Sequence, residues 1–130
     1  MKNFRISILP LAVIIMACLF FATEANAQWS TNPAVNNAIC TNYYNQNEIL
    51  MISDGSGGAI IAWIDYRFQG DYAIFAQRIN SSGITQWTAD GVQISPSSQY
   101  AGRPSIILDG SGGAIITWAS GGDFGNLYAQ

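Results

Sequence analysis

Short apolar runs separated by glycine-rich polar turns make up most of the chain after residue 28. In the C-terminal half they cover 91–95, 105–108, 114–118 and 127 onward, and Ile, Val, Trp and Tyr dominate them. Runs of this composition between turn residues predict β-strands. No segment after residue 28 shows the spacing of an amphipathic helix, so we predict an all-β protein.

One ten-residue segment occurs twice. Asp-Gly-Ser-Gly-Gly-Ala-Ile-Ile-Ala-Trp occupies 54–63, and the same residues, with Thr for the second Ala, occupy 109–118, 55 positions later. Glycines accept positive φ, and Asp side chains bind nearby backbone amides. Each Asp-Gly-Ser-Gly-Gly cluster therefore predicts a tight hairpin loop between two antiparallel strands.

The similarity extends on both sides of this segment. Gln-Trp at 28–29 matches 86–87, and Ala-Gln at 76–77 matches 129–130. We divide the chain into a first repeat, 28–80, and a second repeat, 81–130, which is incomplete at its C-terminal end. The run ending at 38–40 takes the place of 92–95, and the fourth strand of the first repeat is predicted over 72–79.

Four antiparallel strands that repeat about every 55 residues are typical of the blades of a β-propeller. The pattern also resembles the propeller-like repeats of secreted bacterial surface proteins. The resemblance is carried by the segment at 54–63, by Asp65-Tyr66-Arg67, by Ala-Gln-Arg-Ile-Asn at 76–80 and by Gly-x-x-x-Trp at 83–87. It implies binding or scaffold regions of large proteins that commonly carry a C-terminal sorting or adhesion module.

The predicted blades are too few for a closed ring. Propellers close with about four to eight blades, whereas this sequence contains about two. We expect an N-terminal piece of a longer protein with further blades beyond residue 130. Assembly of several copies into one ring and a small β-sandwich are the alternatives.

The first 27 residues have the pattern of a secretory signal peptide. Lys2 and Arg5 precede an apolar run over 6–21, and small residues end the segment at Ala27. We expect cleavage after Ala27, a secreted or outer-surface location, and no membrane span afterwards. Cys18 offers a lipoprotein alternative, although the apolar residues after it are not the polar tether that lipoproteins use.

Charge argues against nucleic acid as a partner. After residue 27 the chain has three arginines, no lysine and seven carboxylates. Phosphate recognition needs clustered cations that displace counterions, and three scattered arginines cannot form such a patch. Carbohydrate or an extracellular protein suits this polar, weakly acidic chain better.

The residue inventory limits the available chemistry. The sequence has no histidine, which excludes Ser-His-Asp and Cys-His catalytic sites from this segment. Asp54 and Asp109 share one repeat position and are interpreted as hairpin residues. Their loops lack the alternating oxygen ligands of a calcium site, so no metal and no cofactor is predicted. Cys40 has no partner for an internal disulfide and is interpreted as a small apolar residue on a strand.

Two aromatic and polar clusters are candidate binding residues. Asp65, Tyr66 and Arg67 are expected in a loop after the third strand of the first repeat, where bracing of its own turn by the Asp–Arg pair is favoured over ligand contact. Tyr43 and Tyr44, flanked by asparagines, form an aromatic-amide cluster suited to carbohydrate or protein contact. The tryptophans at equivalent positions 63 and 118 are expected to pack in the core, with sugar stacking as the alternative.

These observations favour a non-enzymatic binding or scaffold protein in which loops at one rim of a rigid frame provide recognition. The N-terminal part of a polysaccharide-acting propeller enzyme is the first alternative. A purely structural stalk is the second.

Overall fold

A computed structural model describes residues 29–30, 32–98, 101–121 and 125–130. These residues form seven β-strands and no helix, which confirms the all-β prediction. Within the same ranges the structure has no helix of the length and hydrophobicity that a membrane span requires. The predicted signal peptide at 1–27 and the lipoprotein alternative at Cys18 lie outside the described residues.

The strands form two antiparallel sheets, each with its strands in chain order. The first sheet contains β1 (Gln46–Ser53), β2 (Ala59–Phe68), β3 (Asp71–Ile79) and β4 (Val92–Gln93). The second sheet contains β5 (Gly102–Leu108), β6 (Ala114–Ser120) and β7 (Asn126–Ala129).

Both predicted hairpin loops are confirmed. The amide of Asp54 donates to the carbonyl of Gly58 at 3.1 Å, and Asp109 makes the same bond to Gly113 at 3.2 Å. Each Asp carboxylate also accepts from the amides two and four residues further on, at 2.8 Å in the first loop and at 2.7 and 2.9 Å in the second. The loop geometry therefore follows from the loop's own residues.

The two sheets also share a β-bulge that the sequence pattern did not indicate. Pairing shifts register between Asn47 and Leu50 in the first sheet and between Gly102 and Ser105 in the second. Glu48 and Arg103, 55 residues apart, adopt φ values of 48° and 54° at the two bulges. The same backbone irregularity thus recurs with oppositely charged residues.

Strand β4 belongs to the first sheet, whereas the sequence assigned the run at 91–95 to the second repeat. It pairs with β3 through Phe75 opposite Gln93 and Ala76 opposite Val92. The amide of Ile94 also donates to the carbonyl of Ile74 at 2.8 Å. The connection after β3 returns the chain alongside that strand, a long-range pairing that local composition does not reveal.

Each sheet has a face that carries its strand tryptophan, here called the Trp face, and an opposite reverse face. The Trp face of the second sheet packs on the reverse face of the first. Trp118 is 5 % exposed there, which confirms its predicted core position. The buried residues of this contact are Ala62, Ile64, Ile74, Ala76, Ala101, Ile116 and Trp118.

The Trp face of the first sheet forms a second buried cluster. Ile61, Trp63 and Phe75 are among its members, and Ile39 and Cys40 pack against it from the N-terminal segment. Trp63 is 2 % exposed and stacks on Phe75 with ring centroids 6.2 Å apart. The predicted core position of Trp63 is therefore confirmed as well.

Alanine at the last glycine of each loop is expected to have unequal effects. A Cβ on Gly58 would overlap the backbone carbonyl oxygen of Ile79, whereas a Cβ on Gly113 would lie 2.5 Å from a side-chain oxygen of Asp109. The backbone cannot move aside as a side chain can, so Gly58→Ala should lower the free energy of unfolding by about 1–3 kcal/mol. Gly113→Ala should cost less than about 1 kcal/mol. Urea unfolding of both variants measures the difference, and equal losses would contradict the prediction.

Candidate functional site

The sequence-predicted binding residues lie at one end of the first sheet, where β1 begins and β2 ends. Tyr43 and Tyr44 directly precede β1, and Asp65, Tyr66 and Arg67 belong to the end of β2. The amide of Tyr66 donates to the carbonyl of residue 45 at 3.1 Å. The structure thus brings the two groups to the same end of the sheet.

The expectation of a loop at 65–67 is wrong. Strand β2 continues to Phe68, which pairs with Asp71 of β3, and the chain turns through Gln69 and Gly70 with φ values of 51° and 120°. Pairing across this short turn extends the strand by four residues beyond Ile64. The turn residues, rather than 65–67, form the tip of the hairpin.

Asp65 is fully buried, and its carboxylate is saturated with donors. It accepts from Nε1 of Trp63 at 2.9 Å and from the amide of Arg67 at 3.0 Å. The guanidinium of Arg67 adds Nε at 2.8 Å and Nη2 at 2.6 Å. This two-pronged arrangement is the strong, charge-assisted geometry of arginine with carboxylate.

Arg67 connects this carboxylate to the turn before β4. Its Nη2 donates to the carbonyl of Asp90 at 2.9 Å, and its guanidinium carbon lies 3.8 Å from the ring centroid of Phe75. The Asp90 carboxylate accepts from the amide and the hydroxyl of Thr41 at 2.7 and 3.1 Å. The cluster therefore ties the N-terminal segment, β2 and the turn before β4 together. The Asp65–Arg67 pair thus braces segments distant in the chain, whereas the sequence favoured bracing of its own turn.

Cys40 joins the same cluster and is not on a strand, contrary to expectation. Its Sγ lies 3.8 Å from a carboxylate oxygen of Asp65 and accepts from Nη2 of Arg67 at 3.7 Å. Burial raises the pKa of the Cys40 thiol. The thiol is therefore neutral at physiological pH and a weak nucleophile.

The pKa of Asp65 reflects two opposing effects. Burial alone would raise it, but the hydrogen bonds from Arg67 and Trp63, with the positive charge of Arg67, outweigh burial and hold the pKa below its ordinary value. The hydrogen bond to Asp65 likewise raises the pKa of Arg67 despite burial. Both groups stay charged at neutral pH, which suits an ion pair and not a proton donor.

The tyrosine pair differs sharply from this buried cluster. Tyr43 is 80 % exposed and Tyr44 is 48 % exposed, and their ring centroids lie 5.0 Å apart at an interplanar angle of 83°. Tyr44 has a φ of 74°, a left-handed conformation that is uncommon for a bulky residue. Tyr66, in contrast, is half-buried, with its ring centroid 4.9 Å from that of Tyr72.

Two buried polar residues were not identified from the sequence as interacting groups. Asp54 forms a salt bridge with Arg78 at 2.8 Å, in addition to its loop bonds. The fully buried amide of Gln77 donates to the carbonyl of Thr88 at 2.8 Å and accepts from the amide of Trp87 at 2.9 Å. The recurrence of glutamine at the same repeat position, as Gln77 and Gln130, was the available signal for a structural amide.

An apolar groove of about 480 Å³ runs along the Trp face of the first sheet. Its floor contains Ile61 and Trp63, and its open side contains Ile49 and Met51, which are 66 and 67 % exposed. Gln46 is the polar residue among those lining it. This groove suits an apolar surface better than a sugar or an ion.

No group of three or more Cys, Asp or Glu side chains within the described ranges could hold a metal ion. Family models, curated proteins and solved structures were each compared with the chain, and none of them matched it.

Proposed function

We propose that this chain is a secreted or cell-surface binding module without catalytic activity, in which propeller blades form the frame and Tyr43 and Tyr44 form a carbohydrate-recognition surface. The exposed tyrosine pair carries this proposal. Tyr43 is 80 % exposed and lies against the ring of Tyr44, so the pair presents two adjoining aromatic surfaces on which a ligand can stack. Rigid tyrosines offer large contact area at a low cost in conformational entropy.

The segment that carries the tyrosine pair is held against the first sheet by hydrogen bonds. The bond between the backbones of residues 45 and 66 holds the segment against β2, and Gln46 donates to the carbonyl of Asn42 at 3.4 Å. Sugars present C–H faces that pack on aromatic rings and hydroxyl groups that bind amides. The tyrosines and their flanking asparagines offer both kinds of contact.

The blade interpretation is supported by the way in which the sheets stack. Both sheets have the same hairpin, the same bulge position and a corresponding aromatic pair, Trp63 with Phe75 and Trp118 with Tyr128. The Trp face of the second sheet packs on the reverse face of the first, and unlike faces also meet between consecutive blades of a propeller. A polysaccharide-acting enzyme is less well supported, because the buried carboxylates of Asp54 and Asp65 are both engaged by arginines.

Binding of the full chain to an oligosaccharide array, followed by calorimetric titration with the strongest binder, tests this function. We expect Tyr43→Ala and Tyr44→Ala each to weaken binding up to about tenfold, since an aromatic stacking contact is worth about 0.5–1.5 kcal/mol beyond the area that it buries. Trp29→Ala removes another exposed aromatic ring, 47 % exposed, and should leave the affinity unchanged. Absence of any saccharide binding, or full affinity in both tyrosine variants, would refute the proposal. Binding to a protein instead would identify the other class of partner.

A further inference from the structure

A pocket of about 200 Å³ lies between the segment that follows β4 and the Trp face of the second sheet. Two aromatic rings, two hydroxyl groups and a proline line it, from Trp118, Tyr128, Ser98, Ser120 and Pro96. The two rings stack with their centroids 5.9 Å apart. The pocket therefore combines an aromatic wall with a few polar groups, as pockets for small ligands do.

The corresponding space in the first sheet is occupied by the Asp65–Arg67 ion pair. There Trp63 stacks on Phe75, and Nε1 of Trp63 donates to the Asp65 carboxylate at 2.9 Å. The guanidinium carbon of Arg67 lies 3.8 Å from the centroid of the Phe75 ring. Charged side chains of the chain itself thus fill the space beside this aromatic pair.

The second sheet has neither member of the ion pair at these positions. Ser120 takes the place of Asp65, because each follows its strand tryptophan by two residues and pairs with the equivalent residue of the next strand. The repeat position of Arg67 is glycine in the second repeat, at residue 122. A hydroxyl and a hydrogen thus replace a carboxylate and a guanidinium, which leaves room beside the rings of Trp118 and Tyr128.

The pocket offers hydrogen-bonding groups that the first sheet uses internally. Among the residues that the structure describes, none accepts a hydrogen bond from Nε1 of Trp118, whereas Nε1 of Trp63 has Asp65 as its acceptor. Every buried side-chain N or O atom of those residues has a partner, so this N–H is accessible. The hydroxyls of Ser98 and Ser120 lie 3.4 Å apart, beyond the range of about 2.5–3.0 Å for a good hydroxyl hydrogen bond. The hydroxyl of Ser120 can therefore turn toward a ligand.

We infer that this pocket binds a single neutral sugar residue. A sugar hydroxyl accepts from Nε1 of Trp118, a second hydroxyl bonds to Ser120, and the C–H face of the sugar packs on the ring of Tyr128. None of the described residues that line the pocket is charged, so it provides no counter-charge for an anionic or a cationic ligand. Desolvation of such a charge would therefore be uncompensated.

The pocket lies at the end of the molecule that carries the tyrosine pair. The amide of Ser98 donates to the carbonyl of Tyr72 at 2.9 Å, and the ring centroid of Tyr72 lies 4.9 Å from that of Tyr66. The amide of Tyr66 is in turn bonded to the carbonyl of residue 45, next to Tyr44. The pocket is nevertheless a separate site, so the inference goes beyond the tyrosine pair and does not depend on it.

Titration of the ¹⁵N-labelled full chain with neutral hexoses and N-acetylhexosamines, followed by two-dimensional NMR of the indole N–H groups, tests the inference. We expect at least one of these sugars to shift the indole signal of Trp118 and to leave that of Trp63 unchanged, because Asp65 already engages the latter. Ser120→Val removes the hydroxyl and narrows the pocket, so it should weaken binding at least about fivefold. Thr117→Val is the matched control, because it removes a hydroxyl from the opposite face of the same strand. It should bind like the natural chain.

Charged sugars test the neutrality of the ligand on the natural chain, without any variant. Glucuronate and glucosamine should each bind at least about tenfold more weakly than the best neutral sugar. An unshifted Trp118 signal with every neutral sugar, equal affinity for the charged sugars, or full affinity in a folded Ser120→Val would overturn the inference. Circular dichroism and thermal unfolding of each variant show whether it is folded. Tyr43→Ala separates this inference from the proposed function, because it should weaken binding at the tyrosine pair and leave the shift of Trp118 unchanged.

Discussion

Replacement of Asp65 by alanine is expected to lower the free energy of unfolding by about 3–5 kcal/mol, which is the usual cost of removing one partner from a buried ion pair. The carboxylate is fully buried, and the side chain of its partner Arg67 is 16 % exposed. Alanine would leave that guanidinium without its counter-charge and the indole N–H of Trp63 without its acceptor. Urea unfolding followed by tryptophan fluorescence measures the loss.

Asp71→Ala is the matched control, because it removes a partly exposed carboxylate from the first residue of β3. It should change stability by less than about 0.5 kcal/mol. Asp65→Asn keeps the size and one acceptor oxygen, so its loss should fall between those of the two alanine variants. If Asp65→Ala were no more destabilising than Asp71→Ala, the bracing role of the pair would be wrong.

Acidification provides an independent check of the same ion pair. The pKa of Asp65 is lower in the folded protein than in the unfolded chain, where it is about 3.9. The unfolded state therefore binds more protons in this range, and the stability due to ionised Asp65 is complete above about pH 4. It is lost as the pH falls through the folded-state pKa. The stability difference between the natural chain and Asp65→Asn should narrow correspondingly below about pH 4.

Replacement of Trp118 by alanine is expected to lower the free energy of unfolding by about 3–5 kcal/mol, the usual loss for a buried large aromatic side chain. Trp118 is 5 % exposed within the contact between the sheets and stacks on Tyr128 with centroids 5.9 Å apart. Its removal leaves a cavity where the second sheet meets the first. We expect the second sheet to lose its order before the first does.

Trp29→Ala, which removes a half-exposed indole outside the two core clusters, should change stability by less than about 0.5 kcal/mol. Hydrogen exchange resolves the order of opening. In Trp118→Ala, the amides of β6 should exchange faster than those of β2. Uniform protection of both sheets, or a loss of stability equal to that of Trp29→Ala, would contradict the prediction.

The first sheet shows why the strands were predictable and their partners only partly so. Strands β2 and β3 consist mostly of Ile, Ala and aromatic residues, and pairing across a short connection requires few contacts distant in sequence. Strand β4 is two residues long and follows a connection with turns of its own. The strand with which β4 pairs depends on where that connection returns. Segment 38–40 has the same apolar character as β4 but does not form a strand, so composition alone does not decide the outcome.

The sequence by itself determined the all-β class, the two hairpin loops and the burial of Trp63 and Trp118. Glycine conformations and Asp-to-amide bonds act within five residues, so the local sequence is sufficient for the loops. Only the tertiary structure decided the burial of Asp65, its cluster with Cys40 and Asp90, and the unequal surroundings of Gly58 and Gly113. These depend on contacts between segments distant in the chain, and identical loop sequences meet different neighbours in the two sheets.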